Sequence, residues 1–157
     1  MVASTIKIYN FKTHELFKEK ALIIINKENA KVISVGNECE EIMGNNTNPN
    51  YIMVTPFKEG KLDDFTVAEK LLKPILLKYV GKPGFMAKNR KALVMVHADC
   101  NDVEKKAFQD LAFVSGYVDI TYMDENVQGI KPGSKWEDVI WALGNEYKLR
   151  VAIEFDK

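Results

Sequence analysis

Cysteine and histidine are scarce in this sequence, which has two of each among its 157 residues. Cys39 and Cys100 have no neighbouring cysteine, and His14 and His97 lie far apart along the chain. Zinc sites are usually built from pairs of these residues at short spacings such as CxxC or HxxxH. We therefore expect no metal site and no disulfide framework, and we interpret both cysteines as buried or half-buried thiols in a reducing cytoplasm.

An excess of one charge is also absent, because 22 Lys and Arg residues balance 22 Asp and Glu residues. A neutral chain has no overall field to hold a nucleic acid or an anionic membrane. No apolar run approaches the roughly 20 residues of a membrane-spanning helix, and the first residues lack the charged start and apolar run of a signal peptide. These absences predict a cytoplasmic protein without a transmembrane segment and without a nucleic-acid partner.

The glycine-rich loops that hold phosphates are missing as well. Neither GxxxxGK[ST] nor GxGxxG occurs, and the closest approach is Gly81-Lys82-Pro83-Gly84. This segment has a proline where a phosphate cradle needs an amide donor, so we interpret it as a turn. No cofactor is expected from the sequence.

The residues that are present favour one α/β domain over residues 1–157. Hydrophobic residues make up 46% of the chain, which suffices for one core, and short β-rich runs alternate with amphipathic helical runs. The predicted strands are 5–9, 21–25, 31–35, 92–96, 117–123 and 149–155, with the second and third forming a hairpin. The predicted helices are 37–43, 66–80 with Pro74 inside, 101–115 behind a capping box, and one that follows Ser134.

Two features of these helices are candidates for function. Asp63 and Asp64 form a carboxylate pair before the helix at 66–80, where acids either bind a metal or cap free N–H groups, and we favour capping. Trp136 and Trp141 lie five residues apart on one predicted helix, so they face different ways. If Trp136 belongs to the buried face with Ile140, Trp141 is a candidate interface residue.

Three segments follow a family pattern. The first combines the run Glu19 to Lys27 with the run Lys31 to Glu38. The second, Pro56-Phe57-Lys58-Glu59-Gly60-Lys61-Leu62-Asp63-Asp64-Phe65, matches Pro-Leu-Lys-Asp-Gly-Val-Ile-Ala-Asp-Phe. The third, residues 94–107, is similar to Val-x-Val-Pro-Ser-Gly-x-Thr-x-Val-Glu-Lys-Arg-Ala. Together they resemble the N-terminal half of the MreB family, the bacterial actins, over residues 5–128. The resemblance implies a ribonuclease-H-like, actin-like mixed sheet with helices on both faces.

The phosphate motifs of that family have no counterpart here. Its members begin with a strand carrying Asp-x-Gly-Thr, whereas residues 5–9 match the second strand, and the later motif Asp-x-Gly-Gly-Gly-Thr is absent. The family acid that positions the attacking water corresponds to Glu125. In an actin-like protein ATP lies between two halves. Because this sequence resembles only one half, the resemblance implies no ATPase activity.

The missing first strand has a candidate replacement. Without a central strand two hydrogen-bond ladders would be unpaired, and the apolar run at 149–155 has no counterpart in the matched region. We expect this run to fill the central position, parallel to the strand at 92–96, as in a circular permutation. Glu154 would then stand where the family has the acid of Asp-x-Gly-Thr, without the glycine and threonine.

Two functions follow from this interpretation. The first is a non-catalytic actin-like module that binds a protein partner, such as an actin-like filament or a cell-shape complex; assembly with copies of itself is left open. The alternative is a small nucleotide- or metal-dependent hydrolase remnant, with Asp63, Asp64, Glu125 or Glu154 as its acids.

Overall fold

The computed structural model describes residues 4–59, 61–82, 90–96, 100–124, 140, 144 and 147–155. Over these residues the strands are β1 (Thr5–Asn10), β2 (Glu15–Lys20), β3 (Ile23–Asn26), β4 (Lys31–Val35), β5 (Tyr51–Val54), β6 (Phe57–Lys58), β7 (Lys61–Leu62), β8 (Lys91–Val96), β9 (Asp119–Asp124) and β10 (Val151–Phe155). The helices are α1 (Cys39–Gly44), α2 (Phe65–Tyr79) and α3 (Asp102–Val114), and a 3₁₀ turn at Gly36–Glu38 precedes α1.

The main sheet has five strands in the order β2-β1-β10-β8-β9. Its central strand is β10, which pairs antiparallel with β1 on one side and parallel with β8 on the other. The strand β9 continues the parallel part beyond β8. The expectation that the run at 149–155 fills the central position, parallel to the strand at 92–96, is therefore confirmed.

The register of β10 brings apolar side chains into rows across the sheet. Ile153 lies opposite Ile8 on β1 and opposite Val94 on β8, and all three are buried. The five described residues of β8 from Ala92 onward are buried as well, as the continuous apolar run predicts for a strand covered on both faces. The middle of the sheet is thus closed to water from above and below.

Both faces of this sheet carry helical residues. On one face α2 and α3 pack against Ile6, Ile8, Val94 and Ile153 in the larger core cluster. On the other face a smaller cluster joins the helical residue Ile140 to Tyr9, Leu93, Met95, Leu149 and Ala152. The predicted α/β fold with a mixed sheet and helices on both faces is confirmed.

A second, three-stranded antiparallel sheet has the order β4-β3-β5. Its β3–β4 hairpin is the one predicted from the sequence, with an irregular register between Ile24 and Ile25. The helix α1 covers one face through Cys39, which packs with Leu22 and Ile24. Ile23 on the opposite face belongs to the larger core cluster, so this sheet shares a core with α2.

The helices begin where the capping chemistry predicts. The Asp64 side chain accepts a hydrogen bond of 3.1 Å from the Val67 N–H at the start of α2. At the start of α3, Asn101 and Glu104 form a complete capping box. Pro74 predicts either a kink or a meeting of two segments, and α2 runs through it as a single helix, so two separate segments are excluded.

Four short strands were not predicted: β2, β5, β6 and β7. β2 carries charged residues at most positions and is buried only at Glu19, so it lacks the apolar alternation of a half-buried strand. Three predicted strand starts are also wrong by two residues, because residues 21–22 precede β3, residues 117–118 precede β9 and residues 149–150 precede β10. Ala21 and Tyr117 are buried, so their apolar character reflects core packing outside any strand.

Parts of the last predicted helix lie outside the described residues, including Trp136 and the candidate interface residue Trp141. Ile140, Gly144 and Tyr147 are helical, and Ile140 is fully buried. This agrees with the expectation that Ile140 belongs to the buried face of that helix. The partition between Trp136 and Trp141 stays a prediction.

The central position of β10 predicts a large packing loss when its middle side chain is shortened. Ile153→Ala should lower the free energy of unfolding by about 2–5 kcal/mol, because Ile153 is fully buried between two strands. Ile33→Ala is the matched control, since Ile33 on β4 is 37% exposed and should lose much less. Urea unfolding followed by circular dichroism measures both, and equal losses would contradict the packing described here.

Removal of the whole strand should have a stronger effect. Without residues 149–157, β1 and β8 would each lose the partner on their inner side. The shortened chain should therefore lack a cooperative unfolding transition and dispersed amide resonances. A shortened chain that unfolds cooperatively with nearly full stability would show that β10 is dispensable.

Candidate functional site

The carboxyl ends of the parallel strands β10, β8 and β9 lie along one edge of the main sheet. In open α/β sheets ligands usually bind outside this edge. The resemblance places two candidate acids here, Glu154 near the end of β10 and Glu125 directly after β9. Glu125 lies outside the described residues, and Glu154 can be placed.

Glu154 is half-buried and lies between two neighbours in the ladder. It faces Lys7 on β1 and Met95 on β8, one residue before the end of its strand. Strand side chains alternate between faces, so Glu154 shares the face of Ala152, which is the side of the smaller core cluster. The central strand thus carries an acid near its carboxyl end, the position that the family resemblance implies for Glu154.

Of the carboxylate pair before α2, only Asp64 caps the helix with its side chain. Asp63 is exposed, and its backbone N–H donates to the Pro56 carbonyl at 2.8 Å. Within the described part of the chain no three His, Cys, Asp or Glu side chains are arranged to hold a metal ion. The hydrogen bond from the Val67 N–H confirms the capping interpretation of Asp64.

A buried acid that sequence reasoning missed lies between the two sheets. Glu19 at the end of β2 is only 4% exposed. Its carboxylate accepts a hydrogen bond of 2.6 Å from the backbone N–H of Asn37 and another from the Tyr79 hydroxyl at the end of α2. The Lys78 Nζ lies 3.5 Å away and supplies a positive charge. Because a buried carboxylate is costly unless it is paired, these partners stabilise it together.

The 3₁₀ turn fits around this carboxylate through Gly36. Gly36 has φ +79°, a left-handed conformation that favours glycine, and a Cβ there would lie 2.2 Å from the Glu19 Oε2. Asn37 next to it donates its side-chain amide to the Lys18 carbonyl and accepts from the Lys20 N–H at 2.9 Å. The main sheet and the small sheet are thus joined by polar contacts at one point.

Tyr79 completes this junction from the side of α2. Its ring stacks on Phe17 with centroids 4.2 Å apart. Burial, and second the hydrogen bond to Glu19, raise the pKa of the Tyr79 hydroxyl above its usual value. The phenol therefore remains a donor to Glu19 throughout the neutral pH range.

A second polar contact ties the start of β10 to the end of α2. The Arg150 guanidinium donates to the Val80 carbonyl at 2.8 Å and to the Asn10 side-chain oxygen at 2.6 Å. Asn10 in turn donates to the Tyr79 carbonyl at 3.0 Å. A cation at a helix C-terminus is favourable because it complements the helix dipole. The segment before β10 is thereby fixed against α2 as well as in the sheet.

The two thiols show no feature of a reactive site. Cys39 and Cys100 are buried and are not joined in a disulfide. Burial raises the pKa of the Cys39 thiol, which lies 3.5 Å from the Leu22 carbonyl oxygen. The prediction of buried, unlinked thiols is confirmed.

The helices α2 and α3 display large apolar side chains on their outer faces. Leu77 on α2 is 55% exposed, and Phe113 and Val103 on α3 are 60% and 79% exposed. Contiguous exposed apolar patches mark contact surfaces, whereas single exposed apolar side chains are common on any protein. Across the described ranges no helix has the length and apolar character to cross a bilayer.

The chain is similar to one family of known proteins. The family model described as MreB/Mbl protein matches residues 2–130. The cell shape-determining protein Mbl of Bacillus subtilis is 32% identical over 101 residues, which are 64% of this chain and 29% of that protein. The cell shape-determining protein MreB of Escherichia coli is 27% identical over 114 residues, which are 70% of this chain and 32% of that protein.

Solved structures give the same architecture. The crystal structure of MreB5 of Spiroplasma citri bound to ADP aligns with a TM-score of 0.63 and 21% identity, over 78% of this chain and 36% of that one. A second structure of the same protein, bound to AMPPNP, aligns with a TM-score of 0.56 over 69% of this chain. The chain therefore matches about a third of the length of these proteins, and the actin-like fold is confirmed.

The contact of Gly36 with Glu19 predicts that Gly36→Ala lowers the free energy of unfolding more than the same substitution at Gly81 or Gly44. Gly36→Ala combines left-handed strain with a clash on Glu19 and should cost about 2–5 kcal/mol. Gly81 has φ +86°, but the space around an added Cβ is open. Gly81→Ala should therefore lower the free energy of unfolding by about 1–2 kcal/mol. Gly44→Ala, at the end of α1 with open space, should be neutral or slightly stabilising.

Chemical unfolding of the three variants measures this order. A cost at Gly36 no larger than that at Gly81 would mean that the Glu19 carboxylate does not hold the turn as described.

Proposed function

The chain belongs to the MreB/Mbl family, and we propose that residues 1–157 act as a non-catalytic binding or assembly module of actin-like filaments or cell-shape complexes in the cytoplasm. The relatives are named as cell shape-determining proteins, so a role connected with the bacterial cytoskeleton is the starting point. The second part of the proposal is that the module binds its partner without hydrolysing ATP, and the central strand β10 supports this part.

The observation that carries this proposal is the composition of β10 and the residues after it. β10 takes the central position of the actin-like sheet, where the family has the strand that carries Asp-x-Gly-Thr. Here Glu154 and Phe155 are followed by Asp156 and Lys157 in place of glycine and threonine. Phosphate cradles depend on glycine because the backbone must approach the anion closely, and an added carboxylate repels it.

Phe155 strengthens the case for a structural role of this strand end. Its ring packs against Phe57 and Phe108, with centroid distances of 5.0 and 4.9 Å, and it is buried. The end of β10 is thus anchored in the core, where it supports the sheet. The fold keeps its shape while the residues that would contact phosphate are replaced.

The exposed apolar side chains of α2 and α3 offer the binding surface that such a module needs. Leu77, Val103 and Phe113 lie on outer helix faces with more than half of their surface accessible. Interfaces usually gain most of their binding energy from a few large apolar or aromatic anchors. We propose a protein partner for this surface, and a second copy of the chain is included among the partners to be tested.

The alternative is a nucleotide- or metal-dependent hydrolase remnant of the actin-like ATPase fold. The half-buried Glu154 at the carboxyl edge of the sheet favours it, together with the acid Glu125 of the same predicted region. Asp64 does not contribute to this alternative, because its carboxylate is engaged at the start of α2.

Nucleotide binding separates the two functions. A ligand present at 100 times its Kd stabilises a protein by about 2.7 kcal/mol, which a thermal-shift assay detects easily. We expect no rise in Tm with millimolar ATP and Mg²⁺ and no ATP-dependent pelleting of the purified chain. A full-length MreB protein assayed in parallel is the positive control.

Binding to filaments is tested by sedimentation with that same full-length protein. We expect the chain to pellet with the filaments and Leu77→Asp or Phe113→Asp to reduce the bound fraction severalfold without loss of folding, because both side chains are exposed. A clear Tm rise with ATP, or no sedimentation with filaments under any condition, would contradict the proposed module.

A further inference from the structure

The small sheet ends in two open edges. Its outer strands β4 and β5 each pair with β3 and with no other strand that the structure describes. Edge strands are usually protected from pairing with another chain by charged residues, proline or bulges. Every other described strand that pairs on one side only contains a charged residue, whereas β5, with the sequence Tyr-Ile-Met-Val, contains none and has a regular register with β3. The edge of β5 is therefore open to a further strand.

The backbone of β5 directs hydrogen-bonding groups toward this edge. Residues of an antiparallel ladder alternate between those that bond to the neighbouring strand and those whose N–H and C=O groups point away from it. The Lys27 N–H donates to the Asn50 carbonyl at 2.8 Å, in the register of β3 and β5. Ile52 lies two residues further along and therefore bonds toward β3 as well. The backbone groups of Tyr51 and Met53 consequently point outward.

An exposed apolar row ends at the same edge. In the register of the small sheet Val32, Ile25 and Ile52 lie side by side, one on each strand, and the irregular register of β4 adds Ile33 beside Val32. Val32 and Ile52 are each 39% exposed. Apolar side chains that lie opposite each other on antiparallel strands stabilise the pairing. A strand that adds to β5 therefore extends this row.

We propose that β5 pairs antiparallel with the β5 of a second copy of the chain, which joins the two small sheets into one continuous sheet with three strands from each copy. A second copy fits this edge because β5 carries no charge that repels the same strand. It also brings outward N–H and C=O groups in the same alternation as those it meets, and its own apolar row continues the first one.

The apolar row selects the register of this pairing. Residues opposite each other in an antiparallel pair point to the same face, so the two-fold axis passes between a residue and its own copy. With Ile52 at the axis, Tyr51 lies opposite Met53 of the second copy and their outward groups bond. The Tyr51 N–H then exchanges its 3.3 Å contact with the Asn48 carbonyl for a bond across the axis. An axis at Met53 would put the exposed Ile52 against Val54, which already packs on the core.

Pairing of this kind is closed, because both copies use the same surface. Assembly stops at two chains and forms no filament. The contact is small, with four residues from each copy, so a weak dimer is expected. It uses a different surface from the outer faces of α2 and α3, so loss of this dimer and loss of partner binding at those helices are separate results.

Sedimentation equilibrium of the full chain, from about 10 µM to about 1 mM, measures the association. We expect a reversible transition from one chain to two, without larger species. Ile52→Lys should weaken the dimer by about tenfold or more, because it places like charges against each other at the axis. Val32→Lys is the matched control and should leave the dimer intact, since Val32 has the same exposure and lies in the same row but on β4. Thermal unfolding checks that both variants are folded.

A cysteine at the axis tests the register. In an antiparallel pair without direct hydrogen bonds the Cα atoms lie about 4.5 Å apart, a distance that allows a disulfide. Ile52→Cys should therefore form a crosslinked dimer with oxidised glutathione, whereas Val32→Cys should not. Cys39 and Cys100 are buried, so the parent chain should give little background.

Three results would overturn the proposal. A chain that stays monomeric up to about 1 mM would leave the β5 edge to an extended segment of another protein. Equal weakening by Ile52→Lys and Val32→Lys would place the contact on the face of the sheet. A dimer in which Ile52→Cys does not crosslink would exclude the pairing of β5 with itself at Ile52.

Discussion

The pairing of β10 on both of its edges is the constraint on which the rest of the structure depends. Five residues of this strand pair with β1 and four of them also pair with β8. The apolar side chains of β10 enter the cores on both faces of the sheet. The helices α2 and α3 cover a continuous surface only because the strand between β1 and β8 is present. The mixed sheet therefore depends on a strand that comes after all of its other strands in the sequence.

The junction at Glu19 governs how the small sheet is oriented toward the main one. Hydrophobic contacts between the sheets are not directional, so they tolerate several packing angles. The hydrogen bonds of Glu19 with Asn37 and Tyr79 are directional, and Gly36 lies so close to the carboxylate that an added Cβ would clash with it. A polar contact that is costly to bury thus specifies one arrangement, and the surrounding core supplies the stability.

The sequence predicts those parts of the structure whose causes are local. The caps at Asp64 and Asn101 follow from a few neighbouring residues, and the strands at 92–96 and 149–155 follow from uninterrupted apolar runs. Predicting the central position of β10 also needed the family resemblance, because the match of residues 5–9 to the family's second strand leaves the central position to another strand. β2 was not found because its charged residues hide the alternation of an edge strand.

The candidate site was predicted only in part, because some of its contacts join residues that are far apart in the sequence. Glu154 could be placed through the position of its strand, whereas the Glu19 junction depends on Tyr79, which lies 60 residues away. The only sequence signal near the junction is the glycine at 36 after a β-rich run, which indicates a turn but not what the turn encloses.

The order in which the strands are synthesised has a consequence for how this protein folds in a cell. β1 leaves the ribosome early, yet contacts such as that of Asn10 with Arg150 join residues 140 positions apart. Until β10 has emerged, the nascent chain carries two half-built ladders with open edges, the kind of intermediate that pairs wrongly with other chains. The high sequence separation also makes the final closure slow compared with local helix formation. Chaperones that shield open strand edges therefore have a longer interval to act on this protein than on a chain whose central strand is made first.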